Sequence, residues 1–150
     1  MILHMGVRTT SPIRVAHRSL RPGEEEAAAI YDLLCAVNRE CEFGGEVLDH
    51  SMVVRYFNQE ESTGRREVLI PVRGEVDGVE TRTLPSMRVA FLVFKGTDAT
   101  IEERYEQLLD YIKAAGLDTE GEIRSIEAMY VPESVDEQDY TMEIMVPVAN

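Results

Sequence analysis

Near its C-terminus the chain reads Glu143-Ile144-Met145-Val146-Pro147-Val148, and earlier it reads Glu67-Val68-Leu69-Ile70-Pro71-Val72. The two runs are 143 − 67 = 76 residues apart. Glu, Pro and Val recur in the same places with apolar residues between them. A repeat of this kind is the strongest constraint a single sequence offers on its fold, because each copy must bury the same faces. The echo reads as the closing strand of a unit that occurs twice.

The rest of the chain divides around that pair. Ile13 to Leu20 reads as a strand, ended by Arg21-Pro22-Gly23. Glu24-Glu25-Glu26 places acids where a helix N-terminus favours them. Ala27, Ile30, Leu34, Val37 and Cys41 then follow at helical spacing, broadened by Tyr31 and Leu33, until Gly44-Gly45. Ser51 to Phe57 is β-rich, and a polar loop leads to the first echo. The pattern restarts at Arg88-Val89-Ala90, which is 88 − 14 = 74 residues after Arg14-Val15-Ala16. Thr100-Ile101-Glu102-Glu103 predicts a capping box, and Ile101, Tyr105, Leu108, Ile112 and Ala115 predict one helical face stopped by Gly116. Tyr105, Leu108 and Tyr130 each fall 74 after Tyr31, Leu34 and Tyr56. The reading is a tandem βαββ duplication of the α+β class, one domain made of two pseudo-symmetric units at about 13–73 and 86–148. Val76-Asp77-Gly78-Val79 predicts a tight turn in the linker, with a short hairpin as its extension. Residues 1–12 carry no pattern beyond a short strand.

Composition excludes several classes. The net charge of −13 repels phosphate backbones, so direct nucleic-acid binding is not expected. It suits solubility, a cationic ligand or a basic protein surface. No apolar run approaches the roughly 18 residues of a membrane span, and the N-terminus has no secretory pattern, so the expected compartment is the cytoplasm. Cys35 and Cys41 are expected as reduced thiols. His4, His17 and His50 have no ligand spacing, so neither a metal nor a cofactor is called for. No phosphate loop, nucleophile elbow or redox cysteine pair is present.

The order and spacing of several motifs resemble a known family. They are Phe94-Lys95-Gly96, the helix Ile101 to Gly116 with Tyr105, Leu108 and Tyr111, then Tyr130, and the ending Asp139-Tyr140-Thr141-Met142-Glu143 to Val148. Together they resemble the gyrase-inhibitory-protein-like small-molecule-binding domain, which also serves as the effector-binding domain of multidrug-sensing transcription regulators. The resemblance covers residues 13–148, more loosely in the first half. It implies two helices on one face of a curved antiparallel sheet, with a ligand groove between the repeats. It also implies bulky, cationic or amphipathic aromatic ligands, held by aromatic walls and an acid in the last strand, a position that Glu143 matches. The chain has no tryptophan, so its aromatic wall must come from tyrosine and phenylalanine, with methionine beside them.

Strand alternation sharpens the site. Ile144, Val146 and Val148 share one face of the last strand and Glu143, Met145 and Pro147 the other. Val68, Ile70 and Val72 stand likewise against Glu67, Leu69 and Pro71. A carboxylate among apolar residues is either solvated or lines a groove, where a cationic partner would offset its desolvation. The candidate ligand residues are Glu143, Tyr130, Tyr56, Met145, Glu67 and Tyr111. Tyr31 and Tyr105 are expected on helix core faces. The leading expectation is a stand-alone small-molecule-binding protein with Glu143 as acidic contact. A second is a hydrolase of electrophilic small molecules, as the resemblance implies for some relatives, with Glu143 as general base and Tyr130 or Tyr56 as proton donor. A third is an inhibitor of a partner protein through the acidic surface. The oligomeric state is not legible in the sequence.

Overall fold

The computed structural model describes residues 1–21, 23–40, 52–58, 66–130 and 141–150. Cys41, His50, the Gly44-Gly45 stop and the loop Pro132 to Asp139 lie outside the described residues. The elements run β1 (Ile2–Thr9), β2 (Ile13–Ser19), α1 (Glu26–Glu40), β3 (Met52–Asn58), β4 (Arg66–Pro71), β5 (Thr81–Leu84), β6 (Arg88–Lys95), α2 (Ile101–Ala114), β7 (Ile123–Tyr130) and β8 (Thr141–Pro147). The order strand, helix, strand, strand therefore occurs twice. All the strands form one antiparallel sheet in the order β1-β6-β8-β7-β3-β4-β2-β5.

Alternation sorts the side chains as the sequence predicts. Met142, Ile144 and Val146 of β8 pack beneath Ile101, Tyr105, Leu108 and Ile112 of α2. Val68 and Ile70 of β4, with Val72, pack beneath Ala29, Leu33 and Val37 of α1. A third cluster joins Val15 and Leu69 of the first unit to Val89, Phe91, Ile126 and Met145 of the second. It occupies the other face, so both helices share one side of the sheet and the two units share a core on the opposite side.

Two short connectors bend the sheet. β1 and β2 stand first and seventh in the strand order, yet only Thr10, Ser11 and Pro12 join them. Flat strands six places apart would be separated by about 29 Å. Four Cα steps span at most about 14 Å. Only a sheet that curls toward its helix-free face can satisfy both. The equivalent link from β5 to β6 is Pro85, Ser86 and Met87. The connectors meet where they cross: the Thr10 amide donates to the Met87 carbonyl at 2.8 Å, and Ser86 Oγ donates to the Thr10 carbonyl at 2.7 Å.

The leading strands are exchanged. β1 precedes the first unit but pairs with β6 of the second, with Arg8 opposite Val89. β5 precedes the second unit but pairs with β2 of the first, with Arg82 opposite Val15. The 74-residue offset thus extends to this strand, since 82 − 8 = 74.

Three expectations need correction. Thr100 forms no capping box: it ends the 3-10 turn Asp98–Thr100, and its hydroxyl donates back to the Thr97 carbonyl at 2.9 Å. Tyr31 is 67% exposed, because α1 buries Ala29, Leu33 and Val37 and is turned relative to the 74-residue correspondence. The tyrosine echo is not a structural equivalence either. Tyr56 stands opposite Glu67, whereas Ala128, and not Tyr130, stands opposite Glu143. Gly116 does close α2, at φ 70°, with Gly116 and Leu117 amides bonded to the Lys113 and Ile112 carbonyls. The linker turn is also present, at Gly78 with φ 78°, but the strand after it joins β2 and forms no hairpin of its own.

Leu108, on the sheet-facing side of α2, is fully buried, so Leu108→Ala is expected to cost about 2–5 kcal/mol, read from denaturant midpoints. Burial pushes the Tyr105 phenol above its ordinary value of 10.0, against the pull of Arg124, whose guanidinium lies 4.0 Å over the ring. A raised folded value means that this stabilisation is whole below about pH 10 and is lost as the pH climbs through the folded value. Tyr105→Phe is expected to flatten that alkaline decline, measured as denaturant midpoints across the same range.

Candidate functional site

Glu143 leaves the helix-free face of β8 between Val93 of β6 and Ala128 of β7. It is only 3% exposed. A carboxylate so far from water needs a counter-charge and hydrogen bonds, and Arg8 of the exchanged strand supplies them. Arg8 Nη2 donates to Oε1 and Oε2, each at 2.8 Å. The same nitrogen lies 3.6 Å from Met145 Sδ, and the guanidinium carbon lies 5.1 Å from the Phe91 ring centroid. His4 meets the same ring edge-on at 5.0 Å. One nitrogen serves both oxygens, so this is not the two-nitrogen fork of a bidentate pair. The rest of the arginine faces outward, with its side chain 46% exposed.

Beside this pair lies a cavity of about 490 Å³. Glu143, Met145, Ile126 and Ala128 form its floor, and Leu84 and Ile13 a side. Its remaining wall comes from Arg8 and the two crossing connectors. The size falls in the range of pockets that hold drug-sized molecules, about 300–1,000 Å³, and so does the chemistry, an apolar lining with a few placed polar groups.

The pseudo-symmetric position is built differently. Arg82 Nη2 reaches Glu67 Oε2 at 2.6 Å, and Ser19 Oγ donates to Oε1 at 3.4 Å. Burial pushes the Arg82 guanidinium below its ordinary value. Glu67 is buried, and does not line the cavity. The residues paired with the two glutamates differ as well. The residue opposite Glu143 is a small alanine, whereas the residue opposite Glu67 is a tyrosine, Tyr56.

Of the six candidate residues, the structure brings Glu143 and Met145 together on the cavity. Glu67 lies in the second ion pair. Tyr111 is part-buried against the core under α2, on the helical side of the sheet and away from the cavity, because α2 carries it there. Tyr130 and Tyr56 belong to the two central strands, with Met52 opposite Tyr130 and Ile126 opposite Tyr56; their side chains lie outside the described residues. Arg8 was not among the candidates. β1 is an edge strand whose exposure does not alternate, so it leaves no periodic signal. The one clue was its 74-residue partner, Arg82. Among the described residues no cluster of histidine, cysteine, aspartate or glutamate could hold a metal ion, and no helix is long and apolar enough to cross a membrane.

A curled sheet of two βαββ units, with helices outside and an apolar cavity holding one buried acid inside, defines a class of small-molecule-binding domain. The model of the GyrI-like small molecule binding domain matches residues 17–149, and the chain belongs to that family. No curated protein is detectably similar in sequence. Among solved structures, the C-terminal domain of EcmrR superposes with a TM-score of 0.75 at 11% identity, covering 98% of each chain. In the complex of EcmrR with DNA, this chain spans 57% of the EcmrR chain. SAV2435 bound to tetraphenylphosphonium is similar at a TM-score of 0.60 and 14% identity, over 99% of this chain and 95% of that one. A hydrolase from Listeria innocua gives 0.66 at 9% identity, over 97% and 91%. At such identities the likeness is one of fold.

Removing one partner of the central pair should be costly in an unequal way. Arg8→Ala takes away the guanidinium that meets both oxygens of a buried carboxylate and is expected to destabilise by about 3 kcal/mol. Glu143→Gln leaves a half-exposed guanidinium and is expected to cost about 1 kcal/mol. Equilibrium denaturation of the two variants checks the order.

Proposed function

We propose that this protein binds a bulky organic cation, or an amphipathic aromatic compound carrying positive charge, in the cavity on the helix-free face. Glu143 is its acidic contact, and Met145, Ile126, Ala128 and Leu84 are its apolar wall. The observation that carries this reading is a buried carboxylate at the floor of an apolar cavity large enough for such a ligand. A lipophilic cation gains twice there. Its hydrocarbon leaves water, and its charge meets a carboxylate where water screens poorly. A ring such as Phe91, on the same face, adds attraction for a cation. Tyr56 and Tyr130 are the candidates for further aromatic walls. The fold that SAV2435 uses with tetraphenylphosphonium is available in this chain.

Hydrolysis through Glu143 as general base is the weaker reading. Its oxygens are engaged by Arg8, and among the described residues the cavity lining includes no tyrosine to serve as proton donor.

Titration calorimetry with tetraphenylphosphonium tests the proposal. Glu143→Gln is expected to bind about tenfold more weakly or worse, the equivalent of about 1.4 kcal/mol or more. Ala128→Phe, which fills the floor, is expected to abolish binding while the protein stays folded. Equal affinities in wild type and Glu143→Gln would overturn the acidic contact, and undiminished binding by Ala128→Phe would overturn the location.

A further inference from the structure

The groups around the Arg8 guanidinium are those that recognise an organic cation. It sits on a buried carboxylate, touches a thioether sulfur at 3.6 Å and lies 5.1 Å from the centre of an aromatic ring. The geometry points to Arg8 as an internal competitor: it occupies the cation subsite of the unliganded cavity, and a cationic ligand enters by taking its place on Glu143. This inference rests on the cavity being a cation-binding site.

Three features suit Arg8 to that role. It has somewhere to go, because its side chain is already 46% exposed at the cavity wall. Its departure leaves the backbone intact, since the ladder between β1 and β6 is made by main-chain groups. Its grip is limited, because Arg8 reaches the carboxylate through one of its nitrogens only. Competition of this kind sets a threshold. A ligand must replace a guanidinium, so neutral aromatic compounds of the same shape are rejected, because they cannot return the charge contact that Arg8 gives up. The apparent affinity is the intrinsic affinity reduced by the fraction of molecules in which Arg8 stands aside.

The second ion pair provides an internal control. Arg82 and Glu67 repeat the arrangement at a position that does not line the cavity. The experiment measures binding of tetraphenylphosphonium and of tetraphenylborate, alike in shape and opposite in charge. The proteins are wild type, Arg8→Ala, Arg8→Met, Arg82→Met and Glu143→Gln. Arg8→Met keeps the apolar stem and serves if Arg8→Ala does not fold. If Arg8 stands aside in about one molecule in ten or fewer, its removal is expected to tighten phosphonium binding about tenfold or more. Arg82→Met is expected to bind as wild type does, and the borate to bind neither wild type nor the Arg8 and Arg82 variants. A gain in Arg82→Met equal to that in Arg8→Met would overturn the inference, because the effect would then be general loosening. Borate binding by wild type that is lost with Arg8 would also overturn it, by making Arg8 the contact itself. If wild type and both Arg8 variants bind the phosphonium equally while Glu143→Gln binds weakly, the cation-site reading stands and the competitor falls. If none of them binds the phosphonium, both fall together.

Discussion

A carboxylate taken out of water has to be matched by a positive charge, and in this molecule Arg8 matches Glu143 across the boundary between two repeated units. The pair exists because the leading strand of the first unit is built into the second. Neither βαββ unit contains both partners. Charge compensation, strand exchange and the wall of the cavity are therefore one arrangement, and altering any of them disturbs the others.

The exchange also shapes the molecule. Connectors of three residues force the sheet to curl, and the curl turns its helix-free face into a shared interior lined by both units. Duplication alone would give that interior two equal halves. The residue that faces each glutamate across the last two strands of its unit breaks the symmetry. Ala128 stands against one glutamate and Tyr56 against the other, and the cavity adjoins the glutamate with the small neighbour. One facing residue thus differs between a candidate binding position and a second ion pair of the same composition.

Much of this was legible in the sequence for a physical reason. Closing strands buried on both faces leave long apolar runs whose echo survives, and strict alternation separates the face under the helices from the face bearing Glu143. Periodicity fixed α2 because its buried stripe is continuous. It misplaced Tyr31 because three successive alanines and two adjacent leucines give α1 several admissible faces. β1 was nearly silent, since an exposed edge strand needs no alternation, and with it Arg8 was overlooked. Strand exchange itself leaves no local mark, because it is a choice of partner. The true partner of each glutamate also escaped, as identical tyrosines 74 residues apart suggested an equivalence that backbone pairing does not honour.

The central claim is that one carboxylate serves either an internal or an external cation. A crystal structure of the protein with tetraphenylphosphonium bound tests it most directly. The account expects the phosphonium over the cavity floor, beside Glu143, with the Arg8 side chain turned outward and β1 still paired to β6. A bound phosphonium beside an intact Arg8–Glu143 pair would contradict it.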